Sequence, residues 1–530
     1  LLHAVATVLL FLVLLEFAKK ILPAFGGALL WAVHPVQTQA VTYASQQITL
    51  LAGIFSSAAA LFYLRGKRMG RPLEFALSGI AYLLALGCRE TAGALPALAM
   101  VYELAFGEKD GREKRLWILA FALLPPIGMA FGYWRMGIEG MGHGPAAVTG
   151  ITPWTKFLSA GRVYAAILSL LVFPAGLSID WGMKPSEGLF DPWTTLPALA
   201  FLGAILFAAF QLRKYSPLFF FCAFGFFGVL APETLFLPLD LVFEHRLYGP
   251  SALLIPLAAF GLFRLVEKET LSRSGAIGAG LVLVLASSGA TALRNRDWRS
   301  AEALYRDNLK HWPENARVHL NLGAILFAEG NPVEAIDHFR WAIDLYPDSP
   351  EAHENLGLAL VHGGKPEEGL GHLREAIRLA PERSESHYNM GLVIASQNKC
   401  GEALAYFKEA VRLAPKDARP LVSLGACQET LGEKDAAELS YQRALALDPD
   451  STQALVNLGA FLTRRARFRQ AIPLLERAVA ANPNEAVGFF YLGRAKAGWG
   501  QPGAALLAFR TACQLGHTES CEEAEVLERE

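Results

Sequence analysis

The chain has 530 residues, 53% of them hydrophobic, and a formal net charge of −1. Mean hydropathy is +0.30, and the apolar residues are concentrated ahead of Leu293, in more consecutive runs than a soluble core can absorb. This balance excludes a purely soluble protein, and the absence of a basic excess argues against nucleic acid as a partner.

Candidate membrane spans lie at residues 1–17, 21–34, 48–65, 73–87, 90–106, 116–134, 157–174, 194–211, 216–232, 248–266 and 275–293. Basic residues mark the cytoplasmic side of such segments, because Lys and Arg resist translocation. Five basic clusters stand between the spans: Lys19 and Lys20; Arg65, Lys67, Arg68 and Arg71; Lys109, Arg112, Lys114 and Arg115; Arg213 and Lys214; Arg264, Lys268 and Arg273. All five share one side only if 157–174 dips into the membrane or lies along it. The charge pattern therefore predicts ten crossings, with residues 135–193 outside apart from that segment and the rest of the chain after residue 293 on the non-cytoplasmic side. Leu1 then starts outside, with no Met, basic n-region or cleavage site ahead of the first apolar run. A further inside-to-outside helix and an external loop are expected to precede it.

Ionisable groups at the edge of a membrane domain are costly, so each is a candidate for function. The outward-facing set comprises His34, Gln37 and Gln39 in "HPVQTQAV", Arg89 and Glu90 in "CRET", and Asp180 in "LSIDWG". It continues with Glu233, Asp240, Glu244, His245, Arg246 and Tyr248 in "PETLFLPLDLVFEHRLYGPS". Arg89 and Arg246 are the candidate holders of a phosphate, since a guanidinium gives fixed bidentate hydrogen bonds and keeps its charge when partly buried. Glu90 or Glu244 would orient them or act as a base. The plainer alternatives are that Arg89, Glu90 and His34 cap helix ends and that Glu244, His245 and Arg246 form a solvated interfacial cluster.

Beyond the apolar half, Gly323, Gly357, Gly391, Gly425, Gly459 and Gly493 recur every 34 residues. The unit is clearest in "EAHENLGLALVHGGKPEEGLGHLREAIRLAPERS" and resembles the tetratricopeptide repeat, a helix-turn-helix whose small residues let paired helices approach. Ala335, Gly369, Ala403, Ala437, Ala471 and Ala505 mark one crossing; Ala342, Ala376, Ala410, Ala444, Ala478 and Ala512 mark the other. Pro347, Pro381, Pro415, Pro449 and Pro483 close five units, and His517 stands in the sixth place. The predicted class is all-α: a polytopic membrane domain at 1–293, a leading helix at 298–313, six repeats at 316–519 and a cap at 520–530.

Such arrays form a concave groove lined by the first helix of each unit. Two residues before each glycine stand Asn321, Asn355, Asn389, Ser423, Asn457 and Tyr491. This row is a candidate ladder for the backbone of an extended peptide, similar to the asparagine ladder in the repeats of the soluble O-linked N-acetylglucosamine transferase; the alternative is that Asn is simply common there. Of the six cysteines, Cys513 and Cys521 in "ACQLGHTESC" are spaced as in disulfide-bearing Sel1-like repeats, and a bond would need an oxidising compartment. Two unpaired core residues is the other reading. Cys88 and Cys222 fall at membrane depth as packing residues. No spacing suggests a zinc site, a Walker loop, a dinucleotide fingerprint or a nucleophile elbow.

"HPVQTQAVTYASQQITLLAGIFSSAAALFYLRGKR", "CRETAGALPALAMVYELAF", "LSLLVFPAGLSIDW" and "PLDLVFEHRLYGPSA", followed by such repeats, resemble the transmembrane and tetratricopeptide-repeat-containing proteins. That family includes O-mannosyltransferases of the endoplasmic reticulum acting on cadherins, together with bacterial relatives. The resemblance implies a type C glycosyltransferase fold using a polyprenyl-phosphate-linked sugar, with transfer to Ser or Thr on the non-cytoplasmic face and repeats presenting the protein acceptor. Arg89, His245, Arg246, Tyr248 and His34 would hold the donor phosphate, and Glu90 and Glu244 would serve catalysis, with the main base in the loop expected ahead of Leu1. The family often has an acid where Gln39 stands and a Lys where Arg89 stands. A bacterial inner-membrane location with periplasmic repeats is expected, lumenal in a eukaryote. No cofactor beyond the lipid-linked donor is evident, and metal dependence is open. The alternatives are a non-catalytic membrane-anchored scaffold within a larger envelope complex, and a lipid-linked glycan polymerase or ligase.

Overall fold

The computed structural model describes residues 1–42, 46–107, 152–231, 234–235, 241 and 244–529, without the side chains of Glu90, Thr91 and Pro153. The expected span 116–134, the Lys109–Arg115 cluster, Glu233 and Asp240 lie outside the described residues. Every described element is helical. The chain divides into two compact units, Leu1–Val318 and His319–Glu530.

In the first unit, local chemistry sets the helix ends. Ile21–Val33 stops ahead of Pro35, which disfavours helical geometry at His34. Gln47–Met69 ends on Gly70 in the left-handed conformation, and Pro72 then opens Pro72–Cys88 at its first position. Among the described residues, four helices are long and apolar enough to cross a membrane: Gln47–Met69, Trp154–Val172, Thr195–Lys214 and Arg273–Asp297. The 25-residue Arg273–Asp297 is roughly 37 Å long at 1.5 Å per residue and exposes Ile277, Leu281, Val282 and Leu285. Exposed apolar side chains in such a row suit hydrocarbon.

Basic residues gather at one end of this unit. Lys67 pairs with Glu103 at 2.6 Å, Lys19 and Arg68 both pair with Glu16, and Lys20 pairs with Glu267. Phe17, next to this cluster in sequence, lies 6.2 Å from Phe221 near the start of Pro217–Ala231, so Arg213 and Lys214, just ahead of that helix, belong to the same end. Pro72–Cys88 leads away from it for roughly 25 Å to Arg89.

Pro153–Val172 behaves differently from its neighbours, although its length alone would let it span. A reciprocal Thr152–Thr155 capping box starts it, and its contacts then follow the end opposite the basic cluster. Ser159 Oγ accepts the Ser186 N–H, and Ser186 in turn accepts from Thr195, at the far end of the helix that leads to Arg213. Tyr164 bonds Thr234 at 2.7 Å, and the Leu171 carbonyl meets His34 Nε2 at 3.2 Å. The helix therefore runs across that end of the unit.

The second unit consists of antiparallel helix pairs. Representative pairs are Pro350–His362 with Pro366–Leu379 and Ser384–Ser396 with Cys400–Leu413; Thr518–Arg529 closes the array. The 34-residue glycines sit where paired helices approach: a Cβ on Gly391 would lie 2.6 Å from the Phe407 ring, and one on Gly425 2.7 Å from Tyr441. The turn between paired helices carries a left-handed residue at the same interval, Gly330, Gly364, Asn398, Gly432, Ala466 and Gly500. His517, where the sixth Pro would fall, stacks on Phe490 at 4.4 Å. Cys513 and Cys521 are disulfide-bonded.

The compact units divide after Val318, so the leading helix, Ala301–His311, belongs with the apolar unit. Arg294 holds Asp307 at 2.8 Å, and Asn308 Nδ2 donates to the Asp180 carbonyl at 2.8 Å.

Candidate functional site

A cavity of about 540 Å³ runs through the first unit. It follows Gln47–Met69 from Thr49 to Leu64, which at 1.5 Å per residue is roughly 22 Å. Thr49, Arg89, His245, Arg246 and Tyr248 line it together with many apolar side chains. Arg89 Nη1 donates to Thr49 Oγ1 at 2.5 Å. Phe17, Tyr63, Tyr102 and Phe221 line the part nearer the basic end, where the Tyr63 hydroxyl donates to Glu103 at 2.8 Å.

Three short turns deliver the polar residues. Arg89 follows the last residue of Pro72–Cys88 in an extended conformation, immediately before the 3₁₀ turn Glu90–Ala94. His245 and Arg246 lie on the 3₁₀ turn Glu244–Leu247. Gln39 lies in the short helix Thr38–Thr42; its Oε1 accepts the His245 N–H at 2.8 Å while its Nε2 donates to the Ile179 carbonyl at 3.2 Å. Burial first, and then the charges of Arg89 and Arg246, push His245 down to about 3. The imidazole is therefore neutral at pH 7, and the positive charge beside it is that of the two guanidinium groups. Two such groups opening onto a long apolar cavity suit a phosphate attached to a hydrocarbon chain.

Tyr248 is fixed rather than mobile. Its hydroxyl donates to His3 Nδ1 at 2.8 Å, since His3 Nε2 is committed to the Ala32 carbonyl at 2.9 Å. Its ring meets Trp31 at 4.9 Å. Gly53 lets that ring approach: a Cβ there would fall 2.7 Å from Tyr248 Cε1.

The remaining expected site residues are placed elsewhere. Glu244 does not line the cavity: its Oε1 accepts the Ser178 N–H and the Trp181 Nε1–H at 3.3 Å. Burial raises its pKa to about 7 against the lowering effect of Arg294 and these hydrogen bonds. This corrects the expectation that Glu244 orients Arg89 and Arg246, because its carboxylate is held by the 176–182 segment. His34 likewise does not line the cavity; its Nδ1 accepts the Val36 N–H and its Nε2 faces Leu171 O, so it caps the turn Pro35–Gln37. Asp180 lies outside the cavity and pairs with Arg317 at 2.6 Å. The side chain of Glu90 is outside the described residues. Among the described residues, no group of three or more His, Cys, Asp or Glu side chains converges as a metal site.

In the repeats the amide row is not uniform. Asn389 is buried and donates to Glu354 Oε1 at 2.5 Å, and Glu354 also pairs with Arg383. The Tyr491 hydroxyl accepts from Arg464 at 2.8 Å. Asn321, Asn355, Ser423 and Asn457 are half-buried. The expected ladder is thus interrupted at Asn389, where a carboxylate of the preceding repeat takes up its amide.

Fold and site together define an all-helical membrane protein with an amphipathic internal cavity and a tetratricopeptide-repeat array. Tetratricopeptide-repeat family models match residues 289–350, 334–384, 388–452 and 454–487. Among curated proteins, the chain is similar to human protein O-mannosyl-transferase TMTC1, 26% identical over 383 residues that cover 61% of this chain and 42% of that protein. It is similar also to the Caenorhabditis elegans protein O-mannosyl-transferase F38B6.6, 26% identical over 61% of this chain and 46% of the relative, and to human TMTC4, 28% identical over 59% and 48%. The chain thus carries tetratricopeptide repeats and is similar to TMTC proteins, and it spans about half the length of the curated relatives it matches. Among solved structures, PilF of Pseudomonas aeruginosa aligns with 39% of this chain and 97% of its own, at 18% identity and a TM-score of 0.36. A thermophilic TPR protein of Thermus thermophilus, TTC0263, aligns with 34% and 98%, at 23% identity and a TM-score of 0.31.

Proposed function

We propose that the protein is a membrane glycosyltransferase that moves a sugar from a polyprenyl-phosphate carrier to a Ser or Thr hydroxyl of an exported protein, with the repeats holding the acceptor. The observation that carries this reading is the cavity itself: Arg89 and Arg246 open onto the same space as a roughly 22 Å apolar trough. The guanidinium groups suit the phosphate, and the trough suits several isoprene units of its tail.

In this reaction the acceptor hydroxyl oxygen attacks the anomeric carbon, the carbon–oxygen bond to phosphate breaks, and the phosphate leaves with the electron pair. Arg89 and Arg246 stabilise the charge that grows on the leaving phosphate, and fixed donors beside developing charge are among the strongest sources of rate enhancement. Neutral His245 contributes a hydrogen bond. The hydroxyl proton goes to a carboxylate; Glu90, directly after Arg89, is this chain's candidate. Glu244 acts through position, by fixing the 176–182 segment. The curated similarity to protein O-mannosyl-transferases supports the reaction class, and in this reading the site faces the side of the membrane opposite the basic cluster, periplasmic in a bacterium.

Glycopeptide mass spectrometry of exported proteins from cells with and without the gene, complemented by wild type or Arg246→Ala, tests the proposal. Sugar on Ser or Thr that disappears with the gene and returns only with wild type is the expected result. An unchanged glycoproteome would leave the repeats as a membrane-tethered docking array, and altered surface polysaccharide with intact glycoproteins would point to a glycan ligase.

A further inference from the structure

Cys400 and Cys427 come from different repeats and meet. Cys400 is the first residue of Cys400–Leu413, the second helix of its repeat, and Cys427 lies within Arg419–Thr430, the first helix of the next. Their sulfurs are 2.6 Å apart, and they stand 27 positions apart in the sequence. That separation is well inside the reach of a thiol hydrogen bond to sulfur, so closing a bond of about 2.05 Å requires a movement of roughly half an ångström. Cys427 is buried, and Cys400 is partly accessible. In the same array Cys513 and Cys521 are already joined, a state that belongs to an oxidising compartment.

We propose that Cys400 and Cys427 are a second disulfide site, a covalent tie between consecutive repeats, whose oxidant is the disulfide of a thiol–disulfide oxidoreductase. The Cys400 thiolate attacks one sulfur of that disulfide and displaces the other as a thiolate. Cys427 then loses its proton to solvent and attacks the Cys400 sulfur of the mixed disulfide, which releases the second oxidant thiolate. In sum the two protein thiols lose two protons and two electrons, and the oxidant's disulfide becomes a dithiol. Burial and the neighbouring Cys400 push the Cys427 thiol up to about 12, so the accessible Cys400 is the sulfur that meets the oxidant first and Cys427 is the resolving partner. The bond would fix the angle between two neighbouring repeats in an array whose repeats otherwise meet through packing, hydrogen bonds and ion pairs such as those on Glu354.

The full chain tests this when membranes are dissolved directly in denaturant containing excess N-ethylmaleimide, so that accessible and buried free thiols are both blocked, followed by tryptic digestion without reductant. Trypsin places the cysteines on separate peptides, 400–408 and 417–434, whereas Cys513 and Cys521 share peptide 511–529 and give an internal control. The expected result is a joined pair of peptides lighter by two hydrogens than their sum, lost in both Cys400→Ser and Cys427→Ser, with the remaining cysteine then carrying the label. Maleimide on both Cys400 and Cys427 of the wild type, whatever the state of Cys513 and Cys521, overturns the proposal.

Discussion

Arg317 grips Asp180 through two hydrogen bonds, Nε to Oδ2 at 2.6 Å and Nη2 to Oδ1 at 3.3 Å. Asp180 lies in the segment whose Ser178 N–H and Trp181 indole hold Glu244, and Glu244 immediately precedes His245 and Arg246 of the cavity. Arg317, among the last residues of the first unit, is thus tied to the turn that supplies half of the candidate phosphate site. Arg317 is 39% exposed and Asp180 10%, so the pair is worth only about 1 kcal/mol to stability. Arg317→Ala should therefore leave the fold intact while lowering transfer to protein acceptors several-fold. Assay of the variant with a protein acceptor, alongside its thermal unfolding in detergent, separates the two effects; undiminished transfer would remove this segment from the mechanism.

Glu244 makes stability depend on pH. Its folded value of about 7 stands above the ordinary carboxylate value of 4.5, so between these limits the folded state binds the extra proton and stability falls as pH rises. The contribution is fully present below about pH 4.5 and lost once pH passes about 7, a change on the order of 3 kcal/mol. Both hydrogen bonds run to Oε1, an acceptor that glutamine retains. Glu244→Gln should then be more stable than wild type at pH 8, with the gap narrowing toward pH 5. Thermal unfolding at the two pH values decides this, and a gap that is constant or reversed contradicts the buried-charge reading.

Gln39 shows why a carboxylate at this position would change the site. Its amide accepts from His245 N–H and donates to Ile179 O, whereas an ionised acid has no proton to give. Gln39→Glu should leave the partly buried Ile179 carbonyl facing a carboxylate, at a cost of about 1–3 kcal/mol. If the variant unfolds at the wild-type temperature at pH 8, the donor role of this amide is wrong.

How much of this was readable in advance depends on the length scale of the signal. The repeats were legible because one packing requirement recurs: Gly391 must admit Phe407, and its counterparts must do the same every 34 residues. Arg89, His245, Arg246 and Tyr248 were legible as polar residues flanking apolar runs, and the cavity gathers all four. In the sequence Glu244 stands two positions before Arg246, which suggests a shared site. On a 3₁₀ turn, however, successive side chains project about 120° apart, so Glu244 faces Ser178 while Arg246 faces the cavity. His3, Thr49 and Gly53 carried little signal, since each sits within an apolar run and gains its partner only through packing of distant helices. His3 offered one clue, an imidazole in the first span. Asn389 departs from the row because its captor, Glu354, belongs to another repeat, and no periodicity in the asparagines reveals it.

The turn positions of the array supply the last prediction. Ala466 has φ +54 where the equivalent Gly432 has φ +81, and both turns close alike. Arg467 N bonds Leu462 O at 2.9 Å as Glu433 N bonds Gln428 O at 2.8 Å, and Ala466 N bonds Thr463 O as Gly432 N bonds Glu429 O. The shared geometry demands a left-handed residue after the helix, where a Cβ costs about 1–2 kcal/mol and glycine avoids most of that. Part of the benefit is offset by the greater freedom of glycine in the unfolded chain. Ala466→Gly should still stabilise the array by about 1 kcal/mol, raising its Tm by about 2–4 °C, while Gly432→Ala should lower it by a similar amount. Both are read from circular dichroism of the purified full chain. Opposite signs at two positions of one motif exclude a general effect of glycine content, and a fall in Tm for Ala466→Gly would show that the left-handed turn is not where the strain resides.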